Sequence, residues 1–419
     1  MFKKTVLDNG TRVITEEIPY VNTVSVGFWV EVGSRDERDT EQGYCHYLEH
    51  MLFKGTKRRT ALQLAREVDA YGAYINASTD REITSFYINS IAERLDHSID
   101  ILADMLNNSI FDEKEMEREK QVVLEELKMT HDTPDDYIHE MAMKAVWPNN
   151  PIGRPIPGTE ESINGIHRED LIRFYTLHYT AENLVIAVTG KCNHEKVVAA
   201  VQKAGVFTKA ASFSPQRIPP EFGKTGNSEN RDLQQVYYYL SMPGLSQRDE
   251  RRFALYIVNS LFGSSMSSIL FQEVRERLGL CYSIYSFLSN YHDTGLFTIT
   301  CSTSNRFFKP SLEAVLRCCS DVYKNGISDD DIIQAKQQLK GHLALAYESV
   351  EFRMTRIAKQ ELTFGRYFTF DEMAGLIDTV TKDNVIDSIA YLFGEDRPCL
   401  ISTLGPEGHS TIVREIGFQ

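Results

Sequence analysis

The 419-residue sequence predicts an α+β protein: two homologous α/β domains, each a mainly antiparallel sheet flanked by helices, facing each other across a cavity. Three observations predict it. Strand-like and helix-like stretches follow one another in the same order in both halves. Between the halves, residues 209–233 lose periodicity and are punctuated by Pro, Gly, Ser and Asn. The one helix of the first half that carries metal-type chemistry has an apolar counterpart in the second. The domains expected are 1–215 and 216–419.

Residues 4–17 alternate around Asp8-Asn9-Gly10, a strong hairpin signal. Residues 22–33 read as a long apolar strand, and a polar turn leads to Gly-Tyr-Cys-His-Tyr-Leu-Glu-His-Met-Leu-Phe at 43–53. A second helix is expected over 59–70, capped near Thr60. A hairpin follows, out over 73–79 and back over 84–91, and then an amphipathic helix over 92–109. The helix that begins after 111–114 is expected to continue through 127–148 to Trp147-Pro148, with 150–163 as a Pro/Gly-rich loop. A helix at 167–175, a buried strand at 183–190 and a helix at 194–204 complete the first half. In the second half, 234–244 answers 22–33, and the helix 252–263 answers the His-bearing one. The hairpin 281–300 answers 71–90, and the helix 329–343 answers 113–127.

Composition bounds the function. With 42% apolar and 25% charged residues the chain is of the ordinary globular class, and no apolar run approaches a membrane span of about 18 residues. A net charge of −14 argues against nucleic acid as a partner. It serves solubility and the attraction of basic peptides equally well. Seven cysteines without framework spacing fit a reducing compartment. The opening Met-Phe-Lys-Lys-Thr-Val-Leu enters a strand directly and shows no apolar leader, so a cytoplasmic location is expected.

His46 and His50 lie one turn apart on one helix face, with Glu49 between them. Two imidazoles and a carboxylate suit Zn²⁺, and the His-x-x-Glu-His order is the inverted form of the commoner zinc-protease motif. Leu48, Met51, Leu52 and Phe53 make the same helix look buried, where a polar group needs a partner. A third ligand must come from elsewhere. On the helix 115–127, Glu119 and Glu126 are seven apart and share a face, so either could meet the metal; Glu125 is turned away by about 100°. Cys45 is turned off the His46 direction by a similar angle. His342 and the other histidines have no ligand spacing.

These residues resemble the inverted-zinc-motif metallopeptidase family of pitrilysin, and most of all the mitochondrial processing peptidase β subunit and its bacterial relatives. In that family a glutamate follows the motif by about 76 positions, and His50 to Glu126 spans 76 here. The resemblance implies one Zn²⁺ per chain, held by His46, His50 and Glu126, with Glu49 as general base and Glu119 supporting the site. It implies that extended peptides, basic ones among them, pair with the strand 73–79 at Asn76 and at the backbone of Ala77. It also implies that Arg275 and Tyr282, seven apart in the second half, hold the peptide and donate to the oxyanion, with Tyr285 as a weaker rival. Cys45 and Tyr47 stand where the family commonly has a small residue and Phe. In the second copy, Leu255, Val258 and Asn259 fall opposite His46, Glu49 and His50, and Ala335 and His342 opposite Glu119 and Glu126. That copy is expected to bind no metal. The activity implied is a zinc endopeptidase with no membrane or nucleic-acid partner, and a homodimer is one assembly the resemblance allows. The alternative is a non-catalytic scaffold subunit, a type that loses ligands.

Overall fold

A computed structural model describes residues 1–207 and 216–415. In chain order the first half runs β1 (Phe2–Val6), β2 (Arg12–Glu17), β3 (Thr23–Val30), α1 (Tyr44–Leu52), α2 (Ala61–Asp69), β4 (Tyr74–Thr79), β5 (Thr84–Ile91), α3 (Leu95–Asn108), α4 (Glu113–Asp132), α5 (Pro134–Val146), α6 (Glu160–Asn164), α7 (Arg168–His178), β6 (Leu184–Gly190) and α8 (His194–Ala204). The second runs β7 (Asn227–Asn230), β8 (Gln235–Pro243), α9 (Arg252–Phe262), β9 (Ser283–Asn290), β10 (Gly295–Ser304), α10 (Phe308–Asn325), α11 (Asp329–Ala346), α12 (Val350–Phe364), α13 (Phe370–Asp378), α14 (Lys382–Phe393), β11 (Leu400–Gly405) and α15 (His409–Glu415).

The strands make two sheets, ordered β1-β2-β6-β3-β5-β4 and β7-β11-β8-β10-β9. Among the described residues the second repeats the first without β1. Each is antiparallel except for one parallel pair, β2 with β6 and β7 with β11. The hairpin at Asn9-Gly10 forms as expected, with Gly10 at φ +94°, a conformation that favours glycine. β6 is buried on both faces because Leu184, Ile186 and Val188 face the large core while Val185 and Ala187 are covered by α12, which explains its unbroken apolar run.

The fold divides into two compact units: 1–129, 154–218 and 345–367 in the first, and 130–153, 219–344 and 368–419 in the second. They are therefore interleaved along the chain. The 215/216 boundary falls at the edge of 208–215, outside the described residues. The interleaving has a physical cause. The expected continuous helix over 127–148 breaks at Thr133-Pro134, because proline lacks the N–H that would continue α4 and starts a helix well. The released α5 lays Ile138, Met141 and Ala142 against Tyr239 and Leu404 of the second sheet. In the same way α12, capped by Ser349, lays Met354, Ile357 and Ala358 against Ile14, Trp29, Val185 and Ala187 of the first.

Two further expectations are corrected. β7 lies inside the stretch read as linker; four polar residues on a sheet edge carry no apolar alternation to reveal them. α6 begins inside the expected 150–163 loop, started by a Thr159–Ser162 capping pair. The opposite face of each sheet holds a large core, one including Phe28, Leu48, Phe86 and Leu102, the other Leu240, Leu255, Phe297 and Leu312. Each such buried side chain contributes about 1.5–3 kcal/mol. Among the described residues no helix is long and apolar enough to cross a membrane.

Candidate metal centre

α1 is positioned by its own apolar faces. Tyr44, Cys45, Tyr47, Leu48, Met51 and Leu52 are buried, which leaves His46, Glu49 and His50 on the one face not packed into the core. The helix starts at Gly43, φ +86°, where a Cβ would stand 2.5 Å from the Pro157 carbonyl oxygen. Only glycine fits that start.

The two imidazole rings lie 4.6 Å apart, centre to centre. Glu126 Oε2, from α4, is 3.8 Å from His46 Nε2 and 3.5 Å from His50 Nε2. Donors held about 2.1 Å from a tetrahedral zinc are about 3.4 Å apart. The three residues thus fit such an ion, and their ligand atoms all lie within 4.8 Å of one another. Of the two glutamates the sequence left open, Glu126 faces both rings, whereas Glu119 accepts from the far side of His50, Oε1 to Nδ1 at 2.8 Å. Glu125 pairs with Lys128 on the exposed side of α4.

The charge states suit a cation. Burial and the neighbouring His50 hold His46 down at about 4, so it is neutral and able to ligate. Burial pulls His50 down as well, but the Glu119 bond and the nearby carboxylates outweigh it and the net shift is upward. Glu119 is lowered: its burial is outweighed by bonds to His50 and Lys54, whose Nζ lies 2.5 Å away. Burial raises Glu49. His46 Nδ1 is buried without a hydrogen-bond partner, so its tautomer, unlike that of His50, is not set by a neighbour.

Two residues that the sequence did not single out support these groups. Thr79, at the end of β4, donates to Glu49 Oε2. Lys54 holds Glu119; its position one turn after His50 was a usable signal. Thr79 gave none, since its contact depends on how β4 packs against α1.

Among the described residues β4 is an edge strand, paired only with β5. Asn76 is exposed, and its Oδ1 accepts the Ala77 N–H at 2.9 Å, so that donor faces the open edge. Arg275 and Tyr282 belong to the second unit. Arg275 lies in a wide-turned helix, 271–277, with its guanidinium 5.3 Å from the Tyr282 ring centre and 4.5 Å from that of Phe271. The Tyr282 side chain is exposed, as is that of Tyr285. Leu255 and Val258, opposite His46 and Glu49, are fully buried; Asn259 accepts from Ser286 at 2.8 Å. Ala335 is buried and His342 is exposed.

Known proteins resemble this chain over nearly all of its length. Residues 12–160 match the family described as Insulinase (Peptidase family M16), and 165–339 match the Peptidase M16 inactive domain. A Streptomyces coelicolor protein named an uncharacterized zinc protease is 38% identical over 420 residues, covering 96% of this chain and 89% of that one. The Bacillus subtilis uncharacterized zinc protease YmxG is 35% identical over 409 residues, covering 98% and 99%. Among solved structures, a protease from Helicobacter pylori shares the fold with a TM-score of 0.90 at 20% identity, over 97% of this chain and all of that one.

Proposed function

The chain belongs to the insulinase family of peptidases, M16, and on that premise we propose that it is a zinc-dependent endopeptidase acting on short or unfolded peptides. The observation that carries this reading is the triangle of His46, His50 and Glu126 with Glu49 beside it. Zinc bound there would supply Lewis acidity toward the scissile carbonyl and make water a better nucleophile at neutral pH.

The chain's own groups do the rest. Glu49 takes the proton of the attacking water at its carboxylate and passes it to the leaving amine; its raised pKa brings it nearer the working pH. Thr79 fixes the carboxylate while it does so. Glu119, held by Lys54, orients His50 through Nδ1. A substrate strand adds to the free edge of β4, and the Asn76 amide turns away so that the Ala77 N–H meets the peptide. On the family resemblance alone, Arg275 is proposed to hold a peptide backbone and the exposed Tyr282 to donate to an oxyanion. We further propose a processing-peptidase-like preference for basic peptides, drawn by the net charge of −14, and a cytoplasmic homodimer.

The test is incubation of the zinc-loaded chain with an unbiased peptide pool, with every cut site read by mass spectrometry. Glu49→Gln is expected to keep its zinc and lose cleavage by about 10³-fold. A wild-type chain holding one zinc that cuts no peptide would sink the reading.

A further inference from the structure

The loop from β3 to α1 carries buried charge that the proposed chemistry does not use. Ser34 and Arg35 donate their backbone N–H to Asp80 and Arg81 carbonyls at 3.2 and 2.8 Å, which docks the loop on the β4–β5 turn. Asp36 accepts both Nε and Nη2 of Arg217, at 2.9 and 2.8 Å. The same Nη2 donates to the Glu82 carbonyl at 2.8 Å. Arg35 pairs with Glu82 at 2.7 Å and donates to the Ile218 carbonyl at 2.9 Å. None of the four side chains, Arg35, Asp36, Glu82 and Arg217, is more than 9% exposed.

The next residue is Glu37, itself buried. Its two carboxylate oxygens accept the N–H of Gly43 at 2.9 Å and of Cys45 at 2.7 Å. These are among the orphan donors at the start of α1. His46 follows directly.

Holding a buried charged network only for stability is a poor use of it, because apolar residues of similar volume commonly do as well or better. What a bidentate Arg–carboxylate pair adds is a fixed geometry. We propose that Arg217 and Glu37 are positioning residues for the metal helix. Arg217 fixes Asp36, the backbone carries that placement to Glu37, and Glu37 fixes the first turn that sets His46 against Glu126. Arg217 and Ile218 close a segment of the first unit, and Pro219 opens one of the second, so the end of the connector is tied to the helix that bears two ligands. The inference rests on the reading that His46, His50 and Glu126 hold zinc.

The experiment measures zinc affinity by competition with a chelating dye, and the visible spectrum of the cobalt-substituted chain. The proteins are wild type, Glu37→Gln, Arg217→Met, Arg217→Lys and, as a control at the exposed pair with Asp100, Arg58→Met. Residues supporting metal ligands typically matter 10–100-fold in affinity, and these act one step further out. Glu37→Gln should weaken zinc by about 10-fold and Arg217→Met by roughly 3–10-fold, each with altered cobalt bands, while Arg58→Met matches wild type. Should Arg217→Met fail to fold, Arg217→Lys, which keeps the charge and loses the fork, carries the test. Folded variants that bind zinc within about two-fold of a zinc-binding wild type, with unchanged cobalt spectra, overturn this inference alone. A wild-type chain that takes up neither metal overturns the metal reading and this one with it.

Discussion

Helices α1 and α9 follow the same strand in two sheets of the same order, yet they use their third face in opposite ways. α9 buries Leu255 and Val258 completely and ties Asn259 to Ser286. α1 puts His46, Glu49 and His50 at the matching places, partly buried and answered by Glu126, Glu119 and Thr79. The frame is thus indifferent to the chemistry. A few side chains decide whether this face adds to the core or holds a cation. In the first unit, stabilisation that apolar packing would give is replaced by hydrogen bonds and ion pairs, each sensitive to losing a partner.

The comparison is most readily broken in the second unit. Leu255→Ala should destabilise the chain by about 2–5 kcal/mol, as truncation of a fully buried leucine does. The zinc content of the folded fraction should not change, because the metal residues all belong to the first unit. Urea unfolding and metal analysis of the same sample check both halves of the statement. Loss of zinc from folded Leu255→Ala would show that the two helices are not independent.

A smaller effect sharpens the first unit's side. Glu119→Gln removes the charge that His50 Nδ1 and Lys54 both meet, and should weaken zinc by about 10–100-fold while the fold persists. Lys54→Met should do less, because the Glu119–His50 bond survives it. If Glu119→Gln bound zinc as wild type does, the carboxylate would be a packing residue only.

The legible part of this molecule was periodic or local. The i, i+4 histidines, the two-turn spacing of Glu119 and Glu126, the Asn9-Gly10 hairpin and the Thr60 cap each follow from chain geometry that a sequence displays. The duplication was legible because both halves repeat the same order of elements. Contacts set by packing were not. Glu37 meets Cys45 across a loop, Thr79 meets Glu49 from a strand end, and Arg217 reaches Asp36 from 181 positions away. No residue spacing announces such pairs. The reciprocal placement of α5 and α12 was hidden for a related reason: an amphipathic helix shows that it has an apolar face, but not which sheet will cover it.

A third effect separates the units by pH. Counted from their N-caps, His167 and Thr381, His178 of α7 and Leu392 of α14 stand at the same position, eleven residues on. Both are buried, but only the histidine can titrate. Burial, helped by Arg38, holds His178 down at about 4 from an ordinary value of 6.5. Between those two pH values the unfolded chain binds a proton there and the native chain does not. The contribution to stability is therefore fully present above 6.5 and is lost as pH falls toward 4. Its full size is on the order of 3 kcal/mol, at about 1.4 kcal/mol per pH unit. His46 adds a similar slope in the metal-free chain, and His50, shifted upward, opposes it, so only a difference between variants isolates one residue. His178→Leu, which copies the second unit, should flatten the acid limb of the metal-free urea-stability curve by about one proton's worth. Parallel curves for the two proteins would mean that His178 takes up its proton over the same pH range folded and unfolded, and that the first unit owes none of its acid sensitivity to this side chain.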